Sequence, residues 1–251
     1  MQPFALPAEI YAAGLVFMRV GAVAMLIPGL GETFVPPRIR LGFALLLALC
    51  LEPIARPLLP AIPATVGEMG GQVLKELIIG LGLGLLLRFM LLALAVAGEV
   101  VSIQTTLAFA QTANPLQAQP GGALSTFLTV MGMVLIFSAD LHHLFIEAIA
   151  RSYTLFAPAR HVLVQDAAAV AVRSMGQAFA LGIQLAAPVM VFSLVFNIAT
   201  GLIARVMPQF QVFFAVTPLA LMLGLSVFAL GLGGLMLIWL DRYRDFLRLF
   251  T

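Results

Sequence analysis

Residues 212–240 run for 29 positions without a charged side chain. As a helix rising ~1.5 Å per residue, the run would measure roughly 43 Å, against a ~30 Å hydrocarbon core for a bilayer. A water-soluble helix keeps one polar face, and this stretch has none. The feature therefore commits the chain to a membrane. Its excess length predicts that the helix tilts strongly, breaks near Gly231-Leu232-Gly233-Gly234, or projects beyond the bilayer. The other long runs are rich in Gly, Leu and Ala and do not alternate, which points to helices rather than a β-barrel. Composition agrees: 62% of the 251 residues are hydrophobic and 10% are charged, where a soluble domain carries ~25% charged residues. The fold class is all-α, a polytopic helical membrane protein, read as a single membrane domain over residues 1–251. The net charge of +2, spread over dispersed arginines, excludes a nucleic-acid partner. The single cysteine, Cys50, reads as a small packing residue. No cleavable signal peptide is expected, because the first arginine, Arg19, lies inside the first apolar run rather than before it.

About six hydrophobic segments are expected. The first covers residues 10–28 and ends at Pro28-Gly29. The second, residues 41–51, has 11 residues before Glu52-Pro53, fewer than the ~17–25 of a span, so it reads as a half-span or a helix buried in protein. Pro53, Pro57, Pro60 and Pro63 predict a rigid extended connector over 53–65. The third segment, 66–102, carries Gly80, Gly82 and Gly84, small residues that permit close helix contact. The fourth is one segment over 123–156, and the fifth covers 166–206 with a kink at Pro188. After the sixth comes a basic amphipathic tail with Arg242, Arg244 and Arg248. Six segments put both termini on one side, together with Arg56, Arg151, Arg160 and Arg173. The opposite side holds Arg38, Arg40 and Arg205. This excess predicts cytoplasmic termini.

Charges inside the apolar segments need partners. Arg19 at mid-span costs at least ~2.5–3.5 kcal/mol unless it is paired or faces an interior. Lys75, Glu76, Arg88 and Glu99 raise the same question in the third segment. Arg88 and Glu99 share a face three turns apart, so each needs a partner elsewhere. Asp140, His143, Glu147 and Arg151 are spaced 3, 4 and 4. On one helix face they would form a metal site or a proton relay, or more plainly a polar seam in which Glu147 pairs with Arg151. The plain reading is preferred. No H-E-x-x-H or G-x-S-x-G sequence is present, so nothing points to an intramembrane enzyme.

Residues 104–122, QTTLAFAQTANPLQAQPGG, are polar yet uncharged and lie between two strongly apolar segments. Non-helical backbone survives at membrane depth only where protein or a water-filled cavity satisfies it. The stretch reads either as an ordinary turn or as a segment tucked into a pore.

From Asn197 onward the chain reads NIATGLIARVMPQFQVFFAVTPLALMLGL. Gly201, Leu202, Arg205, Pro208, Gln209, Phe213, Pro218, Leu219 and Gly224 resemble, in order and spacing, a motif of the FliR/YscT family of the type III secretion export apparatus. Arg19, Pro28, Lys75-Glu76, Gly80, Gly84, Glu99, Gln104, Asn114-Pro115, His142-His143, Ser152 and Pro158 extend the resemblance over nearly the whole chain. The family's Asp-Pro is Asn114-Pro115 here. Its Gly before the His pair is Leu141, and its Gly after Gln104 is replaced by Thr105-Thr106. The flanks resemble flagellar members.

The resemblance implies a non-enzymatic subunit of the inner-membrane export gate of a flagellar type III secretion system, in the flagellar basal body. Helical hairpins would wind with FliP-like and FliQ-like subunits, and an FlhB-like protein would wrap the cytoplasmic side. Residues 1–165 would be a FliP-like part and 166–251 a FliQ-like hairpin with its tail. Unfolded exported proteins would be the transit substrate, membrane lipid the surroundings, and no cofactor is implied. The 104–122 loop would plug the channel through Leu107, Phe109, Asn114, Pro115 and Gln117. Arg19, Lys75, Glu76, Arg88, Glu99, His142, His143, Arg205, Pro208 and Gln209 would supply buried charge and packing, with Arg19, Arg88, Glu99 and Arg205 in interhelix or intersubunit ion pairs. The competing readings are the equivalent subunit of a virulence injectisome and a proton-coupled transporter of a small solute. The transporter would use Asp140, His143 and Glu147 as its relay.

Overall fold

The structure, a computed structural model, describes residues 6–108, 122–156, 158, 164–207 and 212–250. Among these residues it is all-helical. The helices are α1 (Leu6–Ala24), α2 (Pro37–Ala55), α3 (Val66–Gln104), α4 (Ala123–Ser138), α5 (Leu141–Leu155), α6 (Val164–Val206) and α7 (Val212–Arg248).

The second segment is longer than its sequence suggests. Pro36 and Pro37 pre-set the backbone for a helix start, and Arg40 reaches back to the carbonyls of Glu32 and Val35 at 2.8 Å each. The helix then continues past Glu52-Pro53. Pro53 forfeits one backbone bond, yet the helix continues through it to Ala55. A single 3₁₀ turn (Arg56–Leu58) extends it, and Pro37–Leu58, 22 residues, is long and apolar enough to cross a membrane. The half-span expectation is thus corrected. Irregular backbone is confined to about residues 59–65 rather than beginning at 53.

The fourth segment is two helices. α4 and α5 meet at a 78° bend, with Asp140 in the left-handed region at φ 57°. Asp140 therefore precedes α5 and does not share a helix face with His143, Glu147 and Arg151. Glu147 and Arg151 make the plain i,i+4 pair, exposed, at 3.4 Å.

α3, α6 and α7 have 39, 43 and 37 residues. At ~1.5 Å per residue each exceeds the ~30 Å hydrocarbon core, so each tilts or projects. α6 runs through Pro188, and α7 through Gly231–Gly234 without a break. Five helices are long and apolar enough to span, or six if the bent α4–α5 pair counts as one. The apolar stretch of α3 is 50% buried within the chain and that of α7 only 17%. α7 thus leaves most of its apolar surface for lipid or other helices.

The chain forms two compact units. The first contains residues 1–89, 137–175 and 244–251. Its core is built from Leu15, Val16, Val20, Ile79, Leu83, Phe145, Ile149 and Tyr153. The second contains residues 90–136 and 176–243. Its buried residues include Leu91, Leu94, Leu128, Ile136 and Trp239, whose indole N–H donates to the Met90 carbonyl at 2.8 Å.

Candidate functional site

Within the first unit, the structure gathers the charges that the sequence left without partners. Arg19 and Glu76 are both fully buried, at 0% and 1% exposure. The guanidinium meets the carboxylate edge to edge, Nε to Oε2 at 2.6 Å and one terminal nitrogen to Oε1 at 3.1 Å. That bidentate geometry is the strongest form of the pair. The remaining N–H groups go to the Ser152 carbonyl and hydroxyl, at 2.9 and 3.1 Å, and to the Phe156 carbonyl at 3.0 Å. All five donors are used. The Tyr153 ring lies 4.2 Å from the guanidinium carbon and shields the remaining face. A buried ion pair holds only when such extra bonds satisfy what desolvation strips away.

The approach of α3 to α1 is set by glycine. Glu76, Gly80 and Gly84 recur every four residues, so they share a face. A methyl at Gly80 would sit 2.5 Å from the Arg19 carbonyl oxygen, and one at Gly84 would sit 2.8 Å from Leu26 Cβ. Gly82, expected to share this role, faces open space. One residue before Glu76, Lys75 donates to the Pro158 carbonyl at 2.5 Å and ties down the chain beyond α5.

In the second unit, the described flanks of the 104–122 loop are fastened. The Glu99 carboxylate accepts the Gly122 backbone N–H at 3.2 Å, linking the two sides of the loop. Gln104 accepts from the Ser193 hydroxyl at 2.9 Å, and the Asn197 amide donates to the same hydroxyl at 3.3 Å. Thr105 is buried, its methyl against Gly224. Leu107 is half-buried in a helical turn. Thr106 adopts φ 62°, where a β-branched residue is strained. The strain lies where the FliR/YscT resemblance places glycine. Thr106→Gly is expected to raise the thermal midpoint of the purified protein, stabilising it by ~1 kcal/mol. A lowered midpoint would mean that the Thr106 side chain makes a compensating contact.

The other expected site residues distribute as follows. Arg88 pairs with Glu32 at 3.5 Å, partly exposed, so its partner comes from the α1–α2 connection. Glu99 is exposed and holds a backbone N–H rather than a cation. Among the described residues Arg205 is exposed and makes no ion pair. His142 is half-buried and His143 exposed at the α4–α5 bend. Phe109, Asn114, Pro115, Gln117, Pro208 and Gln209 lie outside the described residues. Tyr153, Phe156 and Trp239 were missed. Trp239, the only tryptophan, offered a signal, since a buried indole needs an acceptor. Phe156 offered none, because it contributes a carbonyl.

Long apolar helices, a self-satisfied buried ion pair and hydrogen-bonded flanks of the 104–122 stretch define an integral membrane protein whose polar groups hold helices and those flanks together. The chain belongs to the bacterial export proteins, family 1, which match it over residues 10–246. It is 52% identical over 251 residues, the full length of both chains, to the flagellar biosynthetic protein FliR of Caulobacter vibrioides. The protein of the same name from Bacillus subtilis is 29% identical over 215 residues, covering 82% of this chain and 80% of the relative. That from Escherichia coli is 27% identical over 214 residues, covering 84% and 80%.

Proposed function

We propose that the chain is a subunit of the membrane-embedded flagellar type III export apparatus, and that its 104–122 loop closes the channel for unfolded flagellar proteins. Family membership and full-length similarity to a flagellar biosynthetic protein support the first statement. The observation that carries the second is the fastening of an uncharged loop on both sides, by Glu99 to Gly122 and by Gln104 to Ser193. A seal must stay in place under a membrane potential while offering no fixed charge to passing chains. Leu107, Phe109, Asn114, Pro115 and Gln117 are the sealing residues in this reading. The subunit sits in the bacterial inner membrane and works without catalysis. It assembles with FliP-like and FliQ-like subunits and an FlhB-like protein, residues 1–165 acting as the FliP-like part and 166–251 as the FliQ-like hairpin. The large exposed apolar surface of α7, including Leu230 at 89% exposure, suits burial against such neighbours and lipid.

Deleting residues 111–119 tests the loop. Cells carrying the deletion are expected to leak small ions or a small dye while the export complex still assembles, as read by pull-down. Assembly without leak would reduce the loop to an ordinary connector and favour a solute transporter.

A further inference from the structure

The α4–α5 bend holds a group of side chains whose ligand chemistry the export reading does not use. Donor atoms of Asp140, His142 and His143 all lie within 4.8 Å of one another. Consecutive residues on a helix point about 100° apart and do not ordinarily face each other. Here the two imidazole rings lie 4.2 Å apart, centroid to centroid, in the first turn after the bend. Phe137 stacks on His142 at 5.5 Å and supports that ring from the α4 side. Phe137 is itself seated over Gly29, whose φ of 89° and missing side chain make room for the ring.

Two further features need explaining. His142 Nδ1 is shielded from solvent and has no hydrogen-bond partner among the described residues. A buried unpaired polar atom is costly, and an imidazole nitrogen avoids that by binding a proton donor or a metal. Asp140 stands at the N-cap of α5, where an aspartate ordinarily accepts a backbone N–H of the first turn. It makes no such bond. Its carboxylate is left free beside the imidazoles, in a left-handed conformation that an Asp tolerates but does not prefer.

We propose that Asp140, His142 and His143 bind a divalent first-row transition-metal ion at the start of α5. Two imidazoles and one carboxylate suit zinc, cobalt or nickel and disfavour magnesium and calcium, which require mainly oxygen ligands. Three protein ligands leave a position for water, and the exposure of Asp140 and His143 gives the ion access. The ion would satisfy the unpaired Nδ1 and employ the uncapped carboxylate together. The sequence spacing offers a metal set of Asp140, His143 and Glu147, set aside there for a polar seam; Glu147 lies outside the present group and pairs with Arg151.

Cobalt is the first probe, since tetrahedral Co²⁺ with nitrogen and oxygen ligands absorbs in the visible. The full chain, purified in detergent in its membrane complex and stripped with chelator, is titrated with Co²⁺ and then with Zn²⁺ in competition. Saturable binding of one ion per chain is expected, with zinc displacing cobalt. His143→Gln and Asp140→Asn should each weaken it at least ~10-fold. Asp140→Gly relieves the left-handed backbone, so it should keep or raise the metal-free thermal midpoint and still lose the ion. Absence of saturable binding by the unaltered protein would overturn the proposal. So would undiminished affinity in His143→Gln and Asp140→Asn.

Discussion

Glu76→Ala is expected to remove most of the folded chain from the membrane. The substitution leaves Arg19 at 0% exposure with Nε and one terminal N–H deprived of acceptors. Deleting one partner of a buried pair costs ~3–5 kcal/mol, because the stranded charge stays desolvated. A typical domain has only ~5–15 kcal/mol of net stability. Chain abundance in isolated membranes, read by immunoblot beside swimming in soft agar, checks this. The companion Arg19→Met, Glu76→Leu double substitution removes both charges at similar volume and should restore much of the abundance. A Glu76→Ala chain at normal abundance would show that the pair does not hold the first unit together. Recovery in the double substitution separates the energetic role from any signalling role of the charges.

Gly98→Ala is expected to be strongly destabilising, whereas Gly82→Ala in the same helix is expected to be neutral or stabilising. A methyl at Gly98 would overlap Ser125 Cα and lie 2.5 Å from Ser125 N and 2.7 Å from the Leu124 carbonyl carbon. These are backbone atoms of the first turn of α4, so no rotamer change relieves them. Overpacking of this kind costs ~1–3 kcal/mol or more. The clash lies one residue from Glu99, which holds Gly122 just before that same turn. Forcing the helices apart should therefore also loosen the loop. At Gly82 a methyl meets open space, and Ala gains ~0.5–1 kcal/mol of helix propensity over Gly. The thermal midpoint in detergent should fall for Gly98→Ala and hold or rise for Gly82→Ala. Equal shifts would mean that the α3–α4 contact at Gly98 can yield.

Much of the site was legible as a demand rather than an answer. Arg19 at mid-span required a partner, and Lys75 and Glu76 stood as further charges in an apolar segment, without being matched to it. That Ser152, Phe156 and Tyr153 would complete the cage was not legible. Two of the acceptors are main-chain carbonyls, which every residue carries. Gly80, Gly82 and Gly84 read as equivalent, yet only Gly80 and Gly84 repeat at four residues with Glu76. Arg88 and Glu99 read as ionic partners for other helices; one pairs with Glu32 and the other holds a backbone N–H.

By itself, the sequence determined that this is an all-helical membrane chain. Bilayer thickness and the cost of unpaired backbone leave no alternative for long uncharged runs. Its ordered Arg, Pro, Gln and Gly positions determined the resemblance to an export family, because spacing along the chain is directly written. Only the tertiary structure decided where helices end and which groups meet. α2 runs through Pro53 into a 3₁₀ turn, and the fourth segment breaks at Asp140 in a left-handed turn. Both depend on which neighbours satisfy the backbone at those points. That is settled by contacts between residues far apart in the chain, as in the 57-residue separation of Arg19 from Glu76.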